Sequence, residues 1–235
     1  MTILRRLVFA AACAGLLTGL LVTVMHQVGT VPVILRAEVY ERAVDAGHAV
    51  LQPGVAHDHA AHDHEGHDWE PRDGLERTAY TALADILAAI GYGLLLAAAF
   101  ALRGKEITWR VGLWWGLAGL AAFTLAPGLG LPPEVPGTEA APLLSRQVWW
   151  VATAALTGSG LALLANGKQW AWSVLALLLI ALPHLWGAPQ PLEHGSAAPE
   201  ALAHQFVVAV TVVSFLTWAA LGSSTAYFYQ RFSTA

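Results

Sequence analysis

Charged residues and cysteines are both scarce in this chain of 235 residues. Asp, Glu, Lys and Arg make up only 12% of the residues, whereas 56% are hydrophobic. With a formal net charge of −4, the chain offers no basic surface for nucleic acid. The only cysteine, Cys13, lies within an apolar stretch and cannot form an intramolecular disulfide. The composition therefore excludes a disulfide-stabilised or nucleic-acid-binding domain and favours a membrane protein.

The common catalytic motifs are also missing. The sequence contains no Gly-x4-Gly-Lys-Ser/Thr loop for ATP, no Gly-x-Ser-x-Gly nucleophile motif and no His-Glu-x-x-His zinc motif. We therefore predict that the chain is not an enzyme and does not hydrolyse ATP by a P-loop mechanism.

The apolar residues form six blocks, each long enough to cross about 30 Å of hydrocarbon. The blocks cover residues 7–28, 79–102, 111–131, 148–165, 170–187 and 206–228. The fourth and fifth are short and are joined by the turn 166–169, so they form either an antiparallel pair or one re-entrant feature. We predict an all-α polytopic protein, a single membrane domain over residues 1–235, with about six transmembrane helices, or five if the pair is re-entrant.

Two motifs of small residues predict close helix packing. Gly15-x-x-x-Gly19 lies in the first block and Gly112-x-x-x-Gly116 in the third. Glycines at this spacing let two helix backbones approach closely in a membrane. We interpret both motifs as structural.

The positive charges predict the orientation in the membrane. The first block is too long for a signal peptide, so we interpret it as an uncleaved helix. Basic residues fall in the connections and tails of one side, namely Arg103, Lys105, Arg110, Lys168 and Arg231. By the positive-inside rule this side and both termini are cytoplasmic, and the protein lies in the inner (plasma) membrane. The long acidic connection, residues 32–78, then lies outside the cytoplasm.

That connection carries a dense cluster of metal-binding residue types. The candidate ligands are His57, Asp58, His59, His62, Asp63, His64 and His67. Neutral imidazole suits Zn, Ni, Co and Cu, and carboxylates add charge and oxygen donors. We predict a loop that collects divalent transition metals with modest affinity. The alternative is a solvated polar linker that happens to be rich in histidine.

Polar residues within the apolar blocks predict a second site. Asp85 lies about 10 Å along the second block, where an unpaired charge is costly. His26, His184 and His204 lie near the same membrane face in the predicted topology. We predict that these four residues include the ligands of an intramembrane cation site. The alternative for each is a hydrogen-bonded polar residue with a structural role.

The Pro-rich segments resemble a known family. They include Val-Pro32-Val-Ile-Leu before the loop, Ala-Pro127-Gly-Leu-Gly-Leu-Pro132-Pro133-Glu134 and Leu-Pro183-His184-Leu. The chain resembles the CbtA family of predicted cobalt transporter subunits over nearly its whole length. The resemblance implies cobalt uptake linked to cobalamin synthesis, and its implied partner is a small one-helix B subunit that contains histidine. The family is often described with five helices, and the His-x4-Asp-His motif of nickel/cobalt permeases is absent here.

Three functions remain open from the sequence. The first is a membrane component of a cobalt uptake transporter, although ligand chemistry alone leaves Co, Ni and Zn unresolved. The second is a metal sensor or chaperone that binds metal without transporting it. The third and weakest is a haem or electron-transfer anchor with His26 and His204 as axial ligands.

Overall fold

The described residues are helical throughout the predicted membrane blocks. A computed structural model describes residues 2–51, 71–191 and 195–233. Its helices are α1 (Ile3–Gly29), α2 (Val31–Leu51), α3 (Leu75–Arg103), α4 (Trp109–Leu120), α5 (Ala126–Gly130), α6 (Leu143–Asn166), α7 (Trp170–Trp186) and α8 (Glu200–Arg231). A π-helical segment, Ala121–Leu125, joins α4 and α5 into one continuous rod. The predicted all-α polytopic fold is confirmed.

The helices match the six apolar blocks. In the described part of the chain, five helical stretches are long and apolar enough to cross a membrane, namely α1, α3, Trp109–Gly130, α6 and α8. The remaining block, the fifth in chain order, is α7, an apolar helix of 17 residues. At about 1.5 Å per residue, α7 is slightly shorter than the hydrocarbon layer, a mismatch that local bilayer thinning can accommodate.

Helix α2 was not predicted, because residues 32–78 were expected to form a loop. The helix starts one residue after α1 ends, separated from it by Thr30. Val33 and Ala37 face the protein and are buried, while Arg36 and Arg42 are exposed. Such a mixed composition gives no long apolar run, so a hydropathy pattern misses the helix.

The glycine motifs produce the closest helix contacts, as predicted. A side-chain Cβ at Gly15 or Gly19 would overlap Ile90 or Ile86 of α3. On the other side of the molecule, Cβ atoms at Gly112 and Gly116 would overlap the backbone of α8 around Gly222. Helices α1, α3, α4 and α8 thus form one tightly packed body.

Contacts around Tyr229 show which helix ends lie together. Phe100 of α3 packs edge-to-face on Tyr229 near the end of α8, with ring centroids 5.8 Å apart. Arg6 of α1 donates from Nε to the carbonyl of Tyr229 at 2.8 Å, and its guanidinium lies over the Tyr229 ring. The start of α1 and the ends of α3 and α8 therefore share one end of the molecule.

Helices α6 and α7 form a separate antiparallel hairpin. Gly160 of α6 packs against Ala176 and Ile180 of α7, and Trp149 donates from Nε1 to the carbonyl of Pro183 at 3.2 Å. The hairpin meets the body mainly at the π-helical segment and α5, where Phe123 and Trp150 have ring centroids 6.0 Å apart. The described part of the molecule thus has a four-helix body, a laterally attached hairpin, and helix α2 packed beside the start of α8.

Candidate metal site between helices α1 and α3

Two of the predicted ligands, His26 and Asp85, face each other. Helices α1 and α3 run antiparallel, so a residue near the end of α1 lies opposite one in the first half of α3. His26 Nε2 is 3.9 Å from Asp85 Oδ1, and the two side chains are 31% and 17% exposed. A transition metal held about 2.0–2.2 Å from each atom would place them roughly 3 to 4.3 Å apart, depending on the bond angle. The observed separation lies within this range.

Hydrogen bonding to Thr30 orients the His26 ring. His26 Nδ1 is 2.8 Å from the Thr30 hydroxyl oxygen, and that hydroxyl lies 3.4 Å from the His26 carbonyl oxygen. The hydroxyl can therefore donate to the carbonyl and accept from Nδ1–H. In this tautomer Nε2 carries a lone pair and faces Asp85. A neutral imidazole with a lone pair on Nε2 is the form that binds a metal ion through that nitrogen.

Asp85 is a carboxylate within a membrane-spanning helix, and its described partners only partly offset its negative charge. Its Oδ2 accepts a hydrogen bond of 3.0 Å from Thr23, whose hydroxyl is also 2.9 Å from the Gly19 carbonyl. A hydroxyl has one proton, so it serves these two acceptors in turn. Among the described residues, no Lys or Arg nitrogen lies within 4.0 Å of Asp85. A cation at this position would supply the missing positive charge.

Polar contacts continue from the pair toward one end of the molecule. Gln27 donates from Nε2 to the Thr78 hydroxyl at 3.3 Å. One residue earlier on α3, Arg77 bonds Glu38 of α2 at 2.6 Å and Asp73 at 3.1 Å. We call this series, from Asp73 to Asp85, the polar track.

In the opposite direction the α1–α3 interface is apolar. Gly19 and Gly15 press against Ile86 and Ile90, and Gly93 lies against the backbone of Ala11. The His26–Asp85 pair therefore lies at one end of the polar track, which extends toward α2. On the other side of the pair, the α1–α3 interface is apolar and tightly packed.

His184 and His204 lie in other surroundings. His184, near the end of α7, packs edge-to-face on Trp149 with centroids 6.0 Å apart. His204 is exposed in the second turn of α8. No group of three or more His, Cys, Asp or Glu side chains within the described ranges is arranged to hold a metal ion. The structure brings His26 and Asp85 together and does not add His184 or His204 to them.

The loop candidates lie outside the described residues. This applies to His57, Asp58, His59, His62, Asp63, His64 and His67, which fall between Leu51 and Pro71. Their role as metal ligands stays a prediction. Pro71, the first described residue after this segment, lines a charged pocket of about 650 Å³ together with Glu38, Glu41, Asp73 and Arg77.

The hydroxyl groups of the site were not predicted from the sequence. Thr23 and Thr30 flank His26 at spacings of three and four residues, which places all three on one face of a helix. That spacing could have identified Thr23 and Thr30 as hydrogen-bond partners of the site. Threonine is common in membrane helices, however, so its spacing gains meaning only once the partner carboxylate is known.

The structure and the family comparison together define the class of this protein. It is a polytopic α-helical membrane protein with a histidine–carboxylate pair held between two of its membrane helices. The chain belongs to the family described as Probable cobalt transporter subunit (CbtA), whose model matches residues 4–230. Comparison with curated proteins and with solved structures gave no match.

The family resemblance predicted from the sequence motifs is thus confirmed. Membership supports a role in transport of a metal ion, with cobalt named by the family description. It also implies partner subunits and points away from an enzymatic function.

Proposed function

We propose that this protein is the membrane component of an uptake transporter for a divalent transition metal, with cobalt as the ion. The acidic His/Asp loop captures the ion outside the cytoplasm, and the His26–Asp85 pair receives it within the membrane. Nickel and zinc fit the same ligand chemistry, so the assignment of cobalt rests on the family membership.

The observation that carries this proposal is the geometry of the His26–Asp85 pair. His26 Nε2 and Asp85 Oδ1 lie 3.9 Å apart, with the Asp85 side chain 17% exposed. With Nδ1–H donating to the Thr30 hydroxyl, both atoms are acceptors, and the gap between them then favours a cation. Two protein donors do not complete a transition-metal coordination sphere, and water or imidazoles of the loop supply the remaining donors. His184 and His204 would act as separate transient ligands near the same end of the molecule.

The membrane potential can drive this uptake without ATP. An inside-negative potential of about 100 mV supplies roughly 4.6 kcal/mol for a divalent ion, at about 2.3 kcal/mol per charge. That energy corresponds to an accumulation of about a thousandfold.

The proposed setting is the plasma membrane, with both termini cytoplasmic and the loop outside. The proposed partner is a small one-helix subunit that carries its own histidines, and the transported cobalt would serve cobalamin synthesis. Basic residues at the shared end of α1, α3 and α8 support this orientation.

Cobalt uptake by intact cells tests the proposal. Cells expressing this chain, with and without the small subunit, should be compared with His26→Gln and Asp85→Asn variants. Each variant should lower uptake at limiting cobalt by about tenfold or more, because it removes one ligand of a shared site. The double variant should be no worse than the weaker single variant. Glu106→Gln, an exposed carboxylate between α3 and α4, is the matched control and should transport normally.

The alternative function is a metal sensor or chaperone that assists another complex. Such a protein binds metal without adding flux. Stoichiometric cobalt binding by the purified protein, combined with no change in cellular cobalt with or without the partner, would support this alternative and reject the transporter.

A further inference from the structure

A large cavity lies apart from the metal site, between the four-helix body and the hairpin. Its volume is about 870 Å³, within the range of small-molecule sites. The walls are mainly apolar and come from the π-helical segment with α5, from α6 and from α8. They include Phe123, Trp150, Val151, Val207 and Val210. We call this cavity the lateral groove.

The lateral groove runs along the membrane helices and has charged residues at one end. Arg146 lies in the first turn of α6, and Val151 is about 7.5 Å further along that helix. Phe123 is about 12 Å from Leu131 along the rod formed by the π-helical segment and α5. The groove is thus polar at the membrane boundary and apolar at the depth of acyl chains.

The charged end has two complementary groups. Glu134 and Arg146 form an ion pair of 3.0 Å, and their side chains are 27% and 31% exposed. A guanidinium has five donors and a carboxylate has several acceptor sites, so the ion pair leaves both groups with free capacity. Arg146 can bind a phosphate, and Glu134 can accept from an ammonium group. A phospholipid headgroup with a phosphate and a primary ammonium carries both partners.

We propose that the lateral groove binds a phospholipid with a primary ammonium headgroup, phosphatidylethanolamine. The phosphate lies against Arg146, the ammonium donates to Glu134, and one acyl chain packs against Phe123 and Trp150. A quaternary ammonium has no N–H to donate, and an anionic headgroup without an ammonium is repelled by Glu134. Because body and hairpin each provide a wall, the bound lipid fills the gap between them.

Native mass spectrometry of the purified full chain tests this proposal. The protein is equilibrated with vesicles of phosphatidylglycerol mixed with either phosphatidylethanolamine or phosphatidylcholine. Wild-type protein should retain phosphatidylethanolamine about tenfold better than phosphatidylcholine, the scale of one charge-assisted hydrogen bond. Glu134→Gln should abolish this preference. Arg146→Gln should weaken retention of every phospholipid, and Glu106→Gln should match the wild type.

A second variant separates groove binding from general headgroup attraction. Val210→Trp fills the lateral groove and leaves the ion pair intact, so it should remove the bound lipid from a protein that still elutes as a single species. Equal retention of both lipids by the wild type, or an unchanged preference in Glu134→Gln or Val210→Trp, would overturn the proposal. Recovery of a second protein mass that is displaced by Val210→Trp would instead assign the groove to a protein helix and would also reject the lipid.

Discussion

At the scale of single residues, threonine hydroxyls stabilise a polar site inside the membrane. Thr23 and Thr153 both donate to the carbonyl four residues earlier, so their burial leaves no unsatisfied proton. Their oxygen atoms still accept or orient neighbouring groups. Thr30 uses this property to fix the His26 ring, whereas Thr23 holds Asp85 by donating its single proton to Asp85 Oδ2 in turn with the Gly19 carbonyl.

Removing the Thr30 hydroxyl should weaken metal binding. Thr30→Val keeps the shape of the side chain but releases His26 Nδ1, so Nε2 is no longer held as the metal-facing nitrogen. We expect cobalt affinity of the purified protein to fall by about 10- to 100-fold, the usual effect of losing such a support. Isothermal titration calorimetry measures this affinity.

Two further variants control this measurement. Thr30→Ser restores the hydroxyl and should restore affinity. Thr153→Val removes a comparable buried hydroxyl from the hairpin and should leave affinity unchanged. Wild-type affinity in Thr30→Val alongside a defect in His26→Gln would show that the ring needs no orienting bond.

His184 should act independently of Asp85. Its ring packs on Trp149, and it belongs to no ligand group among the described residues. If His184→Gln and Asp85→Asn each lower cobalt uptake, their effects should multiply, as expected for separate positions. A double variant no worse than either single variant would instead show one shared site, which the transport assay detects directly.

At the scale of helices, glycine faces set which helices pack closely. Gly15 and Gly19 allow α1 to contact α3, and Gly112 and Gly116 allow α4 to contact α8. The sequence motif identified both faces. It did not identify the partner helix, because a small-residue motif specifies a close approach without specifying which surface approaches.

A single methyl group at such a face should be costly. Gly116→Ala places Cβ against the Trp218 carbonyl, so α4 and α8 must separate. We expect a loss of about 1–3 kcal/mol in the free energy of unfolding. Gly158→Ala is the matched control, because its Cβ would meet no atom within 4 Å and alanine favours a helix. Denaturant unfolding in detergent compares the two, and equal losses would contradict this packing argument.

The His/Asp loop should matter most when metal is scarce. Deleting residues 57–68 removes the proposed collecting segment and leaves the His26–Asp85 pair. Cobalt uptake should therefore fall at low concentration and recover at high concentration. Complete loss at saturating cobalt would place the obligatory site in the loop.

The pH dependence of the loop provides a separate check. A peptide of residues 57–68 should bind cobalt more weakly below about pH 6, because unperturbed imidazoles have a pKa of about 6.5 and must be neutral to bind. Binding should release protons, which calorimetry in buffers of different ionisation enthalpy measures. Unchanged affinity at pH 5 would mean that carboxylates alone bind the metal.

The sequence predicted the membrane helices well and the site only in part. Hydropathy locates helices that face lipid, so the six blocks were found, whereas the charged α2 was not. The sequence predicted that His26 and Asp85 lie at a similar depth in the membrane, because the depth of a residue follows from its position along a helix. It did not predict the distance of His184 from this pair, because the order of helices around a bundle depends on side-chain packing that no one-dimensional pattern contains.

At the scale of the whole molecule, the distribution of charge predicts orientation. Arg6, Arg103 and Arg231 share one end, as the contacts of Arg6 and Phe100 with Tyr229 require. A reporter fused after Ala235 should therefore be cytoplasmic, and a tag near Gly54 should be accessible from outside. Labelling of intact cells measures both. An externally labelled C-terminal tag would contradict the six-helix topology.

The contact between α1 and α8 has a consequence for biosynthesis. Helix α8 follows every other described helix in the chain, yet it supplies the packing surface for both α1 and α4. During synthesis the glycine face of α4 is therefore inserted in the bilayer before its partner α8 is made. The contacts of the α6–α7 hairpin are local, so the hairpin can form as soon as both of its helices are inserted. Completion of the body is the last assembly step. A chain truncated before residue 200 should consequently keep the contacts between α6 and α7, such as Trp149 Nε1 to the Pro183 carbonyl, while α4 lacks its packing partner.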